Sequence, residues 1–471
     1  MNTIWWIRRD LRLHDNQAFY AAYEAGDSVV PVFILDPNLL ESEYVGDKRL
    51  AFLFASLREL AAELEELGSR LIIRQGNPKE ELKQLLQELD AQSIYAEEDF
   101  SPYSRRRDDE IKRALDLHLH AGLTVFPPGM IEKKSGGPYI VYTPFRKSWQ
   151  SLSLPTRSSL LPPPSKLTPP PDLHSLPIPD TPKWRGSSEF PPGESEARRR
   201  LVGFTEGASA PVYAYDDLRN QVDREGTSKL SPYLRFGMIS LREAVVHALE
   251  AREAAPDSRA RKGAQTWLQE LVWREFFINI LYHFPDVRKQ SFREDYRDIH
   301  WRNDEEQYRA WQEGRTGYPI VDAAMRQLIE TGWMHNRARM VVASFLVKDL
   351  LIDWRWGERW FMQHLIDGDP AANNGGWQWS AGTGTDAAPY FRIFNPILQG
   401  QKHDPQADYI RRWVPELRDL PDEYLHKPWE TPQEIQAQSG VKIGENYPKP
   451  IVDHKAARER TIDTYDRARQ T

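Results

Sequence analysis

Hydrophobic and polar residues change their rhythm twice along this chain. Up to about residue 130, short apolar runs at 3–7, 29–35, 71–73, 93–96 and 123–126 alternate with stretches of helical period near 16–24, 48–67, 78–89 and 105–120. Apolar runs of this length, bounded by turn residues, read as strands. Strands alternating with helices predict a parallel sheet covered on both faces. Between 155 and 192 the pattern disappears under 12 prolines in 38 residues. That density excludes a helix or a central strand and predicts a long surface-running connector. Beyond about residue 205 the period is helical again, at 241–251, 264–282, 318–331, 336–352 and 358–365. The expected fold is therefore α/β followed by all-helical: a Rossmann-like parallel-sheet domain over 1–130, a Pro-rich linker over 131–205 and a larger helical domain over 206–471.

Composition narrows the function classes. A chain of 471 residues is too long for one core. The 40% hydrophobic and 28% charged content is that of a globular protein. There is no cysteine, which removes disulfides, zinc–thiolate sites, iron–sulfur clusters and thiol nucleophiles together and fits a reducing cytosol. The first residues are too briefly apolar for a signal peptide, and no run reaches the length of a membrane span, so a cytoplasmic location is expected. The formal charge of −7 argues against a general nucleic-acid coat but leaves room for a local basic patch. Of 16 tryptophans most lie between Trp267 and Trp413, either as a Trp-rich core or as something more specific.

Three segments carry candidate chemistry. Residues 373–396 combine amides, Trp377, Trp379, glycines and Arg392 with neither a 3.6 nor a 2.0 hydrophobic period. Such a segment is expected to be organised around something other than its own secondary structure, here a flat aromatic cofactor and a nucleobase. Residues 226–231 combine a glycine, hydroxyls and Lys229 ahead of Pro232, which suits either a phosphate or a plain helix N-cap. In 336–340, Asn336, Arg339 and Met340 share one helical face while Arg337 points elsewhere. Two arginines there need partners, and Asp367-Gly368-Asp369 offers carboxylates. The EF-hand spacing is not met, so no calcium or other metal is expected. No G-x-G-x-x-G follows the first strand, yet a ligand is still expected beyond the strand ends that carry Arg8, Arg9, Asp36 and Asp99.

These residues bring a family into view. The opening RRDLRLHDN of residues 8–16, the run TGYPIVDAAMRQL of 316–328, the run NRARMVVASFLVKDLLIDWR of 336–355 and the 373–396 segment together resemble the DNA photolyase/cryptochrome family, and most the bacterial class I cyclobutane pyrimidine dimer photolyases. The resemblance covers essentially the whole chain, to Tyr447–His454.

The resemblance implies a folded FAD in the helical domain. Tyr215 and the turn Thr227, Ser228, Lys229, Leu230, Ser231 would contact it, with the turn at its phosphates. Arg339 would pair with Asp367, and Asp367, Gly368 and Asp369 would lie near the flavin's polar edge. Asn373 would face the flavin N5. The substrate implied is a flipped-out pyrimidine dimer in single- or double-stranded DNA. Trp273 and Trp379 would be its aromatic walls, Glu270 its hydrogen-bonding carboxylate, and Asn336 and Met340 its lining. Arg219, Arg337, Gln399 and Lys402 would contact the surrounding DNA. Trp377, Trp354 and Trp301 match a chain of tryptophans leading from flavin to surface. The reaction implied is light-driven electron transfer from reduced FAD to the dimer. Asn336 and Met340, where (6-4) enzymes place histidines, point away from (6-4) repair. Arg9, Asp99 and Arg235 match polar positions of a deazaflavin antenna pocket, favoured over folate or FMN. The protein is expected to act as a monomer, with no membrane partner. The alternative is a cryptochrome-like photoreceptor signalling through a partner, for which the stretch after Asp453 leaves little room for a tail.

Overall fold

All eight residues of the strand Ser28–Leu35 are buried, because a strand covered on both faces needs a continuous apolar run rather than an alternation. The computed structural model describes residues 1–182 and 184–470. In it β1 (Asn2–Ile7), β2 (Ser28–Leu35), β3 (Ile72–Gln75), β4 (Ser93–Glu97) and β5 (Asp116–His120) form one parallel sheet in the order β3-β2-β1-β4-β5. Ile4 of β1 pairs with Val30 on one side and Ile94 on the other. Strand order reverses between β1 and β4, the switch point of a doubly wound sheet. Helix α1 (Gln17–Ala25) starts at Asn16, whose side chain accepts from Phe19 N. Then come α2 (Asp47–Glu66), α3 (Pro78–Leu89) and α4 (Pro102–Lys112). Leu82, Leu85 and Leu89 of α3 join Ile4, Val30, Val32, Ile72 and Ile94 in one apolar cluster.

The fifth strand corrects the sequence reading. The expected helix over 105–120 stops at Lys112, Asp116–His120 pairs with β4, and 123–126 is not a strand. Leu117 is buried between exposed Asp116 and His118, a two-residue alternation that only three residues separate from α4. An edge strand with so few buried positions merges with the helical pattern before it.

Two units divide the chain. One comprises Met1–Asp216, Ser228–Pro285 and Ile366–Ala371; the other comprises Asp217–Thr227, Asp286–Leu365 and the chain from Ala372 onward. In the first unit the segment after β1 forms a polar hub. Asp10 accepts from Trp5 Nε1 (3.0 Å), and Ser240 donates to Asp15 (2.6 Å). Arg12, 1% exposed, pairs with Glu97 and donates to the carbonyls of Gly237 and Asp15 (3.0 Å each). The linker runs along β3: Ile73 N donates to Ser175 Oγ (2.9 Å), Leu176 N donates to Ile73 O (3.0 Å), and Arg70 holds Pro171 O and Leu173 O. Helices α5 (Tyr142–Gln150), α6 (Glu194–Thr205), α7 (Leu241–Glu253) and α8 (Ser258–His283) complete this unit.

In the second unit α9 (Pro319–Thr331), α10 (Asn336–Ser344) and α11 (Trp354–His364) share a core that includes Trp311, Val321, Leu328, Val342, Leu346, Phe361 and Trp377. Asp322, fully buried, accepts from Thr316 N and Oγ1, Gly317 N and Tyr447 Oη at 2.7–3.0 Å. A Cβ on Gly317 would lie 2.4 Å from Lys449 O, so only glycine fits there. The expected helix over 336–352 is broken: α10 passes into a π-helical turn, Phe345–Asp349, and Leu351 turns left-handed with φ 54°. The wider turn gives two consecutive buried charged residues their partners, Tyr390 O for Lys348 (3.1 Å) and His454 for Asp349 (2.5 Å).

The segment from 373 also departs from expectation, because Pro370–Ala381 is a regular helix, α12. Its buried positions include Asn374, Trp377, Gln378 and Ala381. The amides of Asn374 and Gln378 both donate to Val287 O (3.0 and 2.8 Å). A helix whose buried face is partly amide shows no hydrophobic period. Helix α13 (Pro396–His403) follows. Among the described residues no helix is long and apolar enough to cross a membrane.

Glu275 of α8 ties the first unit together by accepting from Val125 N and the Trp149 indole. Burial pushes its carboxyl up to about 7 from an ordinary 4.5. The folded protein thus keeps a proton that the unfolded chain loses earlier. Stability from this group is full below the unfolded value and is lost as pH rises through the folded one, by on the order of 3 kcal/mol. Glu275→Gln is expected to remove that loss. Urea unfolding of both proteins at several pH values between 4.5 and 8 tests this, and parallel pH profiles would refute it.

Candidate functional site

Within the first unit the segment Ile366–Ala371 is held by three arginines. Arg9 Nη2 donates to Asp369 Oδ2 (2.5 Å) and Arg9 Nη1 lies 3.5 Å from Asp99. Arg274 Nη2 is 3.8 Å from the same Asp369 oxygen, and Arg235 Nε donates to Gly368 O (2.7 Å). Asp369 Oδ1 accepts from Ala371 N (3.0 Å), which caps the first turn of α12. Burial alone would raise Asp99, but Arg9 and the Ser101 amide hold it down at about 2. Burial and the neighbouring Arg9 charge push Arg235 well below its ordinary value, and its Nη1 is buried without an acceptor among the described residues. The residues expected of an antenna pocket, Arg9, Asp99 and Arg235, therefore come together with Gly368 and Asp369.

The same unit carries Tyr215, Ser228–Ser231, Glu270, Trp273 and Asp367. Leu230 is buried; Lys229 adopts φ 50° and donates to Glu189 (2.9 Å). The turn is not a side-chain N-cap, since Leu230 precedes the short helix that starts at Ser231. Tyr215 and Asp367 are buried, and Glu270 and Trp273 half-buried. One face of Trp273 is stacked on Tyr142 with centroids 3.6 Å apart and planes 8° apart. Tyr142 in turn donates to Gln269 O (2.8 Å).

In the second unit Asn336, exposed, and Met340 meet across one turn of α10, Nδ2 to Sδ 3.9 Å, as their spacing requires. Arg339 donates to Met334 O (2.8 Å). Arg337 donates twice to Asn220 Oδ1 (2.6 and 3.2 Å), and its pKa is lowered by burial, then by Arg219 and Arg392. Thr227 and Gln399 are half-buried in this unit and Lys402 is exposed. Asn373 of α12 donates through Nδ2 to both Glu358 O and Glu358 Oε1 (2.9 Å each). Its Oδ1 takes no hydrogen bond among the described residues. Trp377, 2% exposed, packs edge-on against Phe361 (4.9 Å) and Trp311 (6.1 Å). Trp354 lies in the same buried cluster, and Trp301 packs against it half-buried. Trp379, also half-buried, follows two residues after Trp377.

Comparison with known proteins gives this arrangement a context. Residues 3–168 match the family model described as DNA photolyase, and 267–467 match the FAD-binding domain of DNA photolyase. A deoxyribodipyrimidine photo-lyase of Synechococcus sp. is 42% identical over 96% of this chain and 93% of its own. The chain belongs to the DNA photolyase family. A bacterial class III photolyase from Agrobacterium tumefaciens superposes with a TM-score of 0.93 at 39% identity, covering 100% of this chain and 98% of that one. An archaeal photolyase from Sulfolobus tokodaii, solved with two FAD molecules, gives 0.82 at 32% identity over 99% and 100% of the two chains.

The residues of α12 fit the FAD that this domain binds. Trp377 has a buried indole N–H without an acceptor among the described residues, and Asn373 has a spare amide oxygen beside it. Both are hydrogen-bonding groups that a polar aromatic ring would satisfy. Sequence reasoning missed Glu358, which orients Asn373; Tyr142, which backs Trp273; and Arg392 as a neighbour of Arg337. Arg392 is the one arginine of the 373–396 segment, whereas nothing in the spacing of 142 or 358 marks them.

Gly357 lies directly beneath the Trp377 ring: a Cβ there would be 2.0 Å from Trp377 Cη2. Gly357→Ala must displace the indole, and a loss of about 1–3 kcal/mol is expected. Light-driven reduction of bound flavin should slow with it. Thermal unfolding and photoreduction rates measure the two effects, and a variant unchanged in both would mean that the ring is not lodged there.

Proposed function

We propose that this protein repairs cyclobutane pyrimidine dimers in DNA by light, as a deoxyribodipyrimidine photo-lyase. The observation that carries the reading is helix α12, with Asn373, Trp377 and Trp379, in a chain similar over nearly its whole length to photo-lyases. A cryptochrome-like signalling role is not favoured by these relatives. The chemistry that FAD would supply when bound and reduced is light-driven electron transfer to the dimer. The chain's own part is to bind, orient and exclude water.

Asn373 would turn its amide oxygen to the flavin, because Glu358 occupies its Nδ2. Tyr215, Thr227–Ser231, Arg339, Asp367, Gly368 and Asp369 are the remaining proposed cofactor contacts. Glu270, Trp273, Asn336, Met340 and Trp379 would receive the flipped dimer. Tyr142 supports this for Trp273, since it covers one face of the indole and so fixes the other. The Arg219–Arg337–Arg392 cluster, with Gln399 and Lys402, would hold phosphates without reading sequence. This explains how a chain of net charge −7 binds DNA, and makes that binding salt-sensitive.

A second, light-gathering pigment of deazaflavin type belongs to this reading, at Arg9, Asp99 and Arg235. The buried, unaccepted Arg235 Nη1 supports an anionic ligand there.

Repair is tested by incubating reduced, FAD-loaded protein with a thymine-dimer oligonucleotide in blue light; the thymines should be restored, and a persistent dimer would defeat the reading. Trp377→Phe should block photoreduction of the oxidised protein while sparing repair by chemically reduced protein. Photoreduction at the wild-type rate would remove Trp377, and with it Trp354 and Trp301, from the proposed path.

A further inference from the structure

In the first unit, lined by none of the residues discussed so far as a site, lies an open cavity of about 370 Å³. Its polar lining is Arg157, Thr205, Glu206, Tyr213, His247 and Glu250, and the rest is small and apolar. The volume equals about a dozen water molecules, within the range of small-ligand pockets. Arg157 donates to Glu250 through Nε (3.0 Å) and Nη2, and approaches Glu206 (3.7 Å). These three side chains are 42–54% exposed and form the rim.

His247 is different, because its side chain is only 3% exposed. Thr205 Oγ1 donates to Leu201 O (2.7 Å), so toward His247 Nδ1 (3.0 Å) it acts as acceptor. Glu206 Oε1, 3.5 Å from the same nitrogen, is a second acceptor. Nδ1 therefore carries the hydrogen, and Nε2 keeps a lone pair with no hydrogen-bond partner among the described residues. Burial, then the Arg157 charge, lowers the pKa of this imidazole against the opposing pull of Glu243, Glu206 and Glu250, so it stays neutral at physiological pH. The cavity thus offers two carboxylates and one imidazole acceptor, and among the described residues its one lining cation, Arg157, is bonded to Glu250 and lies near Glu206.

We propose that this cavity binds a small organic cation rich in N–H donors, an aliphatic polyamine in size and charge. Its ammonium groups would lie against Glu206 and Glu250 and donate to His247 Nε2. Two carboxylates beside a neutral imidazole acceptor favour such a ligand over anions, and its positive charge favours it over neutral sugars or alcohols.

Calorimetric titration of the full-length protein with spermidine tests this, with triethylene glycol as an uncharged control of similar length. One saturable spermidine site per chain is expected, and none for the control. The Glu206→Gln/Glu250→Gln double variant should bind about tenfold more weakly, the sum of two exposed charge contacts. Arg157→Gln should bind more tightly, since it releases both carboxylates; this rim residue is half exposed, and circular dichroism checks that the variant folds. No saturable binding by wild type overturns the proposal. Equal affinity in wild type and the double variant also overturns it, by assigning the heat to the diffuse charge of an acidic chain. Weaker binding by Arg157→Gln overturns it too, by making the rim an anion site.

Discussion

The carboxylate of Asp369 faces two ways at the start of α12. One oxygen caps the helix through Ala371 N; the other receives Arg9 and lies near Arg274. A negative charge at a helix N-terminus is favourable through both the cap and the dipole, and here the charge is itself anchored by cations. Within the first unit, Asp369 and the start of the helix up to Ala371 are therefore held by a buried ion pair. Arg9 follows the central strand, so the sheet of that unit supplies the anchor for Asp369. Breaking one partner would strand a buried charge, which costs far more than the pair gains.

What could be read from the pattern along the chain follows from what each element buries. Strands sandwiched between helices carry uninterrupted apolar runs, and four of the five were legible within a residue or two. The fifth was not, because an edge strand with one deeply buried leucine, Leu117, gives no run to see. Helix α12 escaped for the opposite reason. It is well buried, but Asn374 and Gln378 spend their burial on hydrogen bonds to Val287 O, so polarity no longer reports on depth. The π-helical turn after α10 was invisible because its cause lies more than forty residues away, at Tyr390 and His454.

The candidate site divides in the same way. Many of the residues that would touch cofactor or lesion sit in recognisable runs, and Asn336 and Met340 meet across a helical turn as their spacing demands. The residues that hold those residues do not. Glu358 orients Asn373 from another helix, and Tyr142 stacks under Trp273 from 131 positions away. Glycine is an intermediate case: Gly317 lies in a recognisable run, but only the three-dimensional approach of Lys449 O explains why no other residue fits. Motifs mark contacts with a ligand; the support beneath them is tertiary and leaves no local signature.

The linker along β3 has a consequence for the fate of the sheet. The strand at that edge would otherwise show a row of open N–H and C=O groups, an invitation to pair with another chain. The linker answers those groups with two hydrogen bonds, and prolines at 169–171, 177 and 179 leave it few donors of its own to present outward. It works as a terminator: it completes the ladder and cannot template another rung. A proteolytic nick between 168 and 180 would do more than separate two segments. It would reopen a sticky border on an otherwise intact fold, so self-association should appear before any loss of helical structure.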